Sequence, residues 1–339
     1  MKAAVLEDVR KLKMCEKEEP SAGIGEAVIK IKYAGICGSD ITIYKGEHPT
    51  ATMPVVLGHE IYGTVCEIND TYSGFKAGER VVVNPLISCG SCDACIRGHF
   101  HVCRNLKLLG IHEDGGFEEY VRVKADKLVK VPETLNDLEA ALVEPFAVGY
   151  HVNYRSGVRI GDTVLVIGAG TIGLVVGLIA RKAGARVIIT EINKQRLELA
   201  GKFGLETIDS EKTDALKELL DRTNGSGADV VYEASGSRAG ILLMTNACKI
   251  RGTMVPLSLS AKAVEFELGK VSFKEMSVVG SRVYEHYHFL RAVDTIEKIA
   301  KEYDITQLCT QICPSDEVVS GVEDMLNGRN IGKILVQFN

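Results

Sequence analysis

Thr163-Val164-Leu165-Val166-Ile167-Gly168-Ala169-Gly170-Thr171-Ile172-Gly173 sets the architecture of this chain. Its first five residues are apolar or β-branched with no polar alternation, the pattern of a strand buried on both faces. Three glycines in G-x-G-x-x-G spacing follow at once, and the stretch from there to Lys182 reads as a helix. Such a turn needs its first glycine for the bend and its second so that a pyrophosphate can approach the backbone. The third allows close helix–strand packing. Gly168, Gly170 and Gly173 take these parts, with Thr171 and Ile172 between them. The free N–H groups that open the helix then face the phosphates.

Downstream the pattern repeats. Arg186 to Thr190 reads as a second strand, ending beside Glu191, 23 residues after Gly168. A carboxylate at that place takes the ribose hydroxyls of a dinucleotide. It also repels a 2′-phosphate, so NAD is favoured over NADP, although Lys194 and Arg196 argue in the other direction. Gln195 to Phe203 reads as a helix and Ala228 to Glu233 as a strand, with later strand candidates at Thr253 to Leu257 and Ser277 to Gly280. Strands alternating with helices predict right-handed βαβ units and an α/β fold with a doubly wound parallel sheet.

Upstream the style differs. Short β-branched or alternating segments at Ala27 to Tyr33, Ile61 to Ile68, Arg80 to Asn84 and Glu119 to Val123 lie close to Gly or Pro. Little helix is expected before Leu138. From Tyr284 the chain reads as helical and ends on a strand, Lys333 to Phe338, which is expected to return to the first domain. The expected division is a β-rich domain of residues 1–148 and 285–339 and a cofactor domain of residues 149–284.

A chain of 339 residues has room for about two domains. Its 46% apolar and 25% charged residues are an ordinary globular balance. The net charge of −5 and the lack of a basic tract exclude a nucleic-acid footprint. No apolar run approaches the ~20 residues of a membrane span. The start, Met-Lys-Ala-Ala-Val-Leu-Glu-Asp, lacks the apolar stretch of a signal peptide, so a cytoplasmic protein is expected. There, ten cysteines point to metal or catalysis before disulfides.

Cys89, Cys92, Cys95 and Cys103 follow C-x2-C-x2-C-x7-C. Four thiolates on one short loop close a tetrahedron around Zn²⁺ with no open position, the structural type of site. The alternatives are unbound thiols or an iron–sulfur cluster. The tight bacterial spacing of such clusters ends C-x3-C-P, and here the fourth Cys is more distant and no Pro follows.

Cys37 sits in Gly35-Ile36-Cys37-Gly38-Ser39-Asp40, His59 and Glu60 in Gly58-His59-Glu60-Ile61-Tyr62-Gly63, and Glu144 precedes Pro145. With the four-cysteine loop and the glycine turn, these motifs resemble the medium-chain, zinc-containing alcohol dehydrogenases over essentially the whole chain. Within that family they are similar to the polyol, sorbitol and threonine dehydrogenase branch. The resemblance implies a GroES-like catalytic domain and two zinc ions per chain. The catalytic zinc would be held by Cys37, His59 and one or both of Glu60 and Glu144. One thiolate, one carboxylate and a neutral imidazole leave the ion formally neutral with an open position.

The resemblance further implies that Asp40 holds the other nitrogen of His59 and that Ser39 accepts the substrate hydroxyl proton. Thr42 stands where family members often carry a relay His, with His48 as the candidate substitute. Asn69 stands where they usually have Gly. Arg196 would flank the adenosine ribose, and Leu257, Ser258, Leu259, Gly280, Ser281 and Arg282 would approach the nicotinamide. The implied reaction is hydride transfer between NAD(H) and a secondary alcohol of a polyol or sugar acid, in a symmetric homodimer or homotetramer. The alternatives are a simple secondary-alcohol or 2,3-butanediol-type dehydrogenase and a non-catalytic nucleotide-binding relative.

Overall fold

The computed structural model describes residues 1–258 and 263–338, so Leu259 lies outside the described residues. The chain divides into two compact units. One holds Met1–Glu144, Glu285–Glu297 and the residues from Ile305 onward; the other holds Pro145–Tyr284 and Lys298–Asp304.

In the second unit, Thr163–Ile167 lies at the centre of a six-stranded parallel sheet. On one side of it run Arg186–Glu191 and then Glu206–Asp209. On the other run Ala228–Glu233, Cys248–Pro256 and Ser277–Val278. Numbered along the chain, the order is 3-2-1-4-5-6, the doubly wound order whose crevice opens at the strand C-termini. The central strand is apolar because helices cover it: Val164, Leu165 and Val166 are fully buried. The strand Glu206–Asp209 escapes sequence reading because its four residues carry an acid at each end and bury only Ile208.

The first unit is built on a seven-stranded sheet with Glu26–Ile36 at its heart. Glu60–Asn69 lies antiparallel on one side of this strand and Lys333–Gln337 antiparallel on the other. Tyr120–Lys124 pairs with its first half. The packed face includes Ile29, Ile31, Ile36, Phe117, Val121, Ile334 and Val336. Register brings three distant segments to one edge. Gly35 lies opposite Glu60 on one neighbour and opposite Leu335 on the other. Cys37, just past the end of the central strand, therefore shares one end of the sheet with Glu60 and Lys333, which begin the flanking strands.

Three expectations need correction. A helix spans Gly38–Tyr44, well before Leu138. Ile41, Thr42 and Ile43 read as strand formers, but the Asp40 carboxylate accepts the Cys37 N–H at 2.8 Å and fastens the first turn. A strand at Cys309–Pro314 precedes the last one and pairs with it in parallel. Residues 298–304 fall in the second unit. Tyr303 packs edge-on to Phe203 at 6.4 Å and accepts a hydrogen bond from Arg181 Nε at 2.9 Å, while Glu302 pairs with Lys182. Asn69 takes no left-handed conformation; it closes the strand Glu60–Asn69, and its Nδ2 donates to the Ala22 carbonyl at 3.2 Å.

Candidate functional site

The sheet end shared by Cys37 and Glu60 gathers a group of metal-ligating atoms. One from each of Cys37, His59 and Glu60 lie within 4.8 Å of one another. His59 is 5% exposed and Glu60 1%. His59 Nδ1 and Glu60 Oε2 are buried without a hydrogen-bond partner. A buried polar atom left unpaired costs free energy, and a thiol, an imidazole and a carboxylate gathered this closely are a donor set that suits a zinc ion. Burial disfavours the charged form of His59, yet Cys37, Asp40 and Glu144 outweigh it and push its pKa well above the usual range. The surroundings thus favour a cation.

Ser39 Oγ lies 3.5 Å from His59 Nε2. Asp40 is fully buried and sits 3.7 Å from His59 Nδ1, beyond hydrogen-bond reach. Its oxygens instead accept the Cys37 N–H at 2.8 Å and the Gly58 N–H at 3.3 Å. It therefore ties the two ligand-bearing segments together. Thr42 Oγ1 donates to the Gly38 carbonyl at 3.2 Å, inside its own helix. His48 Nδ1 accepts from Thr50 N at 3.3 Å.

Glu144 is buried but lies outside the 4.8 Å group. Its charge still bears on both His59 and Lys333. Glu60 is committed on one side: Lys333 Nζ meets its Oε1 at 2.5 Å and also donates to the Ile36 carbonyl at 3.0 Å.

The four-cysteine loop closes on itself. Sulfur separations are 3.5 Å for Cys92–Cys95, 3.9 Å for Cys92–Cys103 and 3.4 Å for Cys89–Cys103. Zinc–sulfur bonds of ~2.3 Å in a tetrahedron require sulfur atoms about 3.8 Å apart, so the loop is shaped for the ion. Backbone N–H groups, that of Ser91 first, lower the Cys89 thiol to about 6. Burial pushes Cys95 up to about 12. No cysteine among the described residues is in a disulfide.

In the other unit the glycine turn has the shape its spacing predicts. Gly168 has φ +101°, and Gly173 comes so near that a Cβ would stand 2.0 Å from the Gly168 carbonyl oxygen. A Cβ at Gly170 would meet nothing within 4 Å, which leaves that face open to a ligand. Glu191 faces the turn: its Oε2 accepts from Ala169 N at 2.8 Å, and its Oε1 from Ile192 N at 2.8 Å and Asn193 N at 3.0 Å. Arg196 Nη1 is 3.9 Å from Glu191 Oε2. Leu257 and Ser258 follow the strand Cys248–Pro256. Gly280 accepts Arg155 Nε at 3.2 Å, Ser281 is half-buried and Arg282 is exposed.

Comparison with known proteins now decides the family. Residues 23–133 match the alcohol dehydrogenase GroES-like domain, and residues 171–298 match the zinc-binding dehydrogenase domain. The 2-dehydro-3-deoxy-L-galactonate 5-dehydrogenase of Pseudoalteromonas atlantica is 35% identical over 316 residues, 93% of this chain and 92% of that one. The chain belongs to the zinc-binding alcohol dehydrogenase family. This dehydrogenase is also 37% identical over 272 residues, 79% of each chain, to the sorbitol dehydrogenase of Halalkalibacterium halodurans. A zinc-binding dehydrogenase from Sinorhizobium meliloti, solved bound to NADP, superposes with TM-score 0.91 at 33% identity over 99% of both chains. An alcohol dehydrogenase from Escherichia coli CFT073, solved with NADH, also gives 0.91, at 30% identity over 100% of this chain and 99% of that one. The expected fold, a GroES-like domain with a doubly wound cofactor domain, is borne out.

Two features of this dehydrogenase escape sequence reading. Lys333 heads the apolar run Ile334-Leu335-Val336, and a lone cation at the start of a buried strand is the signal that could have found it. Glu233 ends its strand fully buried and accepts from Ser235 N at 2.9 Å, Gly236 N at 3.0 Å and Ser258 Oγ at 2.7 Å. It fastens two loops at the strand C-termini. Among the described residues no helix is long and apolar enough to cross a membrane.

Proposed function

We propose that this dehydrogenase uses NAD and two zinc ions per chain to interconvert a secondary alcohol of a polyol or sugar acid and the corresponding ketone. The observation that carries the reading is the close group Cys37, His59 and Glu60, in which His59 Nδ1 and Glu60 Oε2 are buried without a hydrogen-bond partner. Cys37, His59 and a glutamate, Glu144 or Glu60, would hold one zinc; Cys89, Cys92, Cys95 and Cys103 would hold the other. The chemistry supplied by the bound groups is Lewis-acid activation of the substrate oxygen by zinc and hydride acceptance by the nicotinamide. Ser39, beside His59, takes the hydroxyl proton. Thr42 does not carry it further, because its hydroxyl is committed to its own helix.

Gly168, Gly170 and Gly173 with Thr171 and Ile172 would seat the pyrophosphate. Glu191 takes the ribose hydroxyls and Arg196 flanks them, while Leu257, Ser258, Leu259, Gly280, Ser281 and Arg282 serve the nicotinamide end. Glu191 supports NAD; the NADP-bound relative and the nearby Arg196 make the cofactor worth testing directly. The substrate class rests on the sorbitol and galactonate-type relatives. We further propose a symmetric homodimer or homotetramer. The edge strand Ser277–Val278 is exposed, and Leu268 and Phe273 beside it in sequence are 70% and 94% exposed. Unpaired edges and exposed apolar side chains are where chains associate.

The test is metal analysis with kcat/KM on sorbitol, an aldonate, 2,3-butanediol and ethanol, with NAD and with NADP. Two zinc ions and a polyol or aldonate as best substrate are expected. Best activity on 2,3-butanediol moves the reading to a diol dehydrogenase. Two zinc ions without turnover make the chain a non-catalytic relative. Light scattering at micromolar concentration tests the oligomer; a monomer refutes it.

A further inference from the structure

Two loops tied to the Ser39 and His59 segments meet each other. One, residues 46–52, leaves the helix Gly38–Tyr44, whose first turn carries Ser39. The other, residues 109–117, is laced to the segment that leads into His59. Gly115 N donates to the Val56 carbonyl at 2.9 Å, Gly116 N to the Gly58 carbonyl at 2.6 Å and Phe117 N to the Leu57 carbonyl at 2.9 Å. A Cβ at Gly110 would stand 2.6 Å from that Gly58 carbonyl oxygen, so the loop lies directly on the residue before His59. Thr52 N donates to the Ile111 carbonyl at 3.3 Å and joins the two loops. His48 and His112 then stand edge to face with ring centres 6.3 Å apart, and Thr50 hydrogen-bonds to both rings.

Backbone N–H groups fix where the ring protons sit. Leu108 N donates to His112 Nδ1 at 3.1 Å, and Thr50 N donates to His48 Nδ1 at 3.3 Å. A ring nitrogen that accepts carries no proton, so each neutral imidazole holds its proton on Nε2. His112 Nε2–H therefore donates to Thr50 Oγ1 at 3.1 Å, and the exposed Thr50 hydroxyl is turned to donate its own proton onward. The cluster ends in an O–H on Thr50 and an N–H on His48 Nε2, while both imidazole acceptors are used by the backbone. The acids nearest in sequence are neutralised. Glu47 pairs with Lys45 at 2.6 Å, Glu113 with Lys107 at 2.8 Å and Asp114 with Lys17 at 2.6 Å.

We propose that His48 and Thr50, with His112 as the positioning residue behind Thr50, form a subsite for a carboxylate on the substrate, so that this dehydrogenase acts on a sugar acid in preference to the neutral polyol. This rests on the dehydrogenase reading proposed for the chain and chooses between its two substrate classes. A carboxylate accepts through both oxygens and brings no proton, which matches a cluster that ends in donors. A polyol hydroxyl accepts one such bond but must also place its own proton, and the two imidazole acceptors are engaged. One loop continues the Ser39 helix and the other lines the His59 segment, so the carboxylate is held at a set distance from the reacting hydroxyl.

The test compares D-gluconate with sorbitol and L-galactonate with galactitol, pairs that differ only at carbon 1, by kcat/KM with NAD on the full-length, zinc-loaded enzyme. An acid should be the better member of at least one pair. Thr50→Val removes the hydroxyl at nearly constant volume, and His48→Phe removes the N–H and keeps a ring. A hydrogen bond to a charged group is worth roughly 10–100-fold. Each variant should lower the acid-to-polyol ratio of kcat/KM by about that factor, with the loss in KM. Zinc content and thermal unfolding check that the variants are folded.

Polyols preferred in both pairs overturn the proposal, and so does an acid preference that survives both variants. A fall of equal size on acid and polyol overturns it too, because the two residues then serve a step common to both substrates. A preference for sorbitol 6-phosphate over gluconate that Thr50→Val abolishes assigns the subsite to phosphate and overturns the carboxylate. Zinc-loaded wild type that oxidises no alcohol overturns the dehydrogenase reading together with this inference. The other adverse outcomes overturn this inference alone.

Discussion

The two cysteine-containing clusters of the first unit are built in opposite ways. The four-cysteine loop draws its donors from residues no more than 14 apart in sequence, and its geometry follows from local spacing. The Cys37 cluster takes Cys37 from just past a central strand and His59 and Glu60 from the start of a flanking one, and Lys333, the partner of Glu60, opens the other flanking strand 273 residues away in sequence. The first is a site made by a loop, the second a site made by a sheet. Each is vulnerable in its own place: the loop depends on its own donors, the sheet site on every strand that brings a donor to the edge.

Cysteine removal should separate the two clusters most widely. Cys37→Ser should lower kcat/KM by far more than the ~10–100-fold typical of an outer-shell partner, with one zinc per chain lost and the unfolding temperature nearly unchanged. Cys95→Ser should do the reverse. Structural zinc sites contribute ~10–16 kcal/mol in small peptides, comparable with the ~5–15 kcal/mol stability of a whole domain. Thermal unfolding should therefore drop by many degrees, with activity of the remaining folded fraction retained. Equal behaviour of the two variants in calorimetry and kinetics would erase the distinction.

A smaller effect lies in the cofactor unit, whose turn is also a loop-made site. A 2′-phosphate carries roughly −1.5 to −2 charges, so Glu191→Ala should narrow the preference for NAD over NADP by roughly tenfold, about 1.4 kcal/mol. Some NAD affinity should fall too, because Glu191 also holds the N–H groups of Ala169, Ile192 and Asn193. Wild-type enzyme using both cofactors equally in steady-state kinetics would remove Glu191 from the discriminating role.

A last test, read in stability and not in activity, probes the frame of the sheet-made site. Glu118 is buried, and burial lifts its carboxyl to about 7 against the hydrogen bond from Lys17 that pulls it down. Lys17 also grips Asp114 at 2.6 Å, and Asp114 accepts the Val56 N–H at 2.9 Å on the segment leading to His59. The native state then holds the Glu118 proton more tightly than the unfolded chain does. Stability should fall as pH rises from about 4.5 to about 7, by roughly 3 kcal/mol if the group acts alone. Glu118→Gln should flatten that slope in urea titrations between pH 5 and 8. A slope unchanged by the substitution would assign the pH dependence to other groups.

Legibility in the sequence divides along the same line. The glycine turn, the parallel strands and the four-cysteine spacing are local patterns, and each is readable without knowing the fold. The strand Ala228–Glu233 is readable to the residue because its β-branched and aromatic centre runs straight into a turn. Lys333 is not, because its meaning exists only once three strands are side by side in register. The helix Gly38–Tyr44 is hidden for a related reason: one buried carboxylate, Asp40, outweighs the strand preference of Ile41 and Ile43. The family resemblance gives the same carboxylate the task of orienting His59 by a hydrogen bond, but the packing commits it to two backbone N–H groups instead.

The late arrival of the strand Lys333–Gln337 has a consequence in time. The four-cysteine loop has all its sulfur atoms as soon as residue 103 is free, so it can take up metal while most of the chain is still unmade. The Cys37 cluster has no cationic partner for Glu60 until a strand from the other end of the chain docks beside Glu26–Ile36, after the whole cofactor unit between them has been made. Contacts so distant in sequence form slowly. Under the proposed two-zinc reading, the four-cysteine loop would take its ion early and the Cys37 cluster would take its ion late.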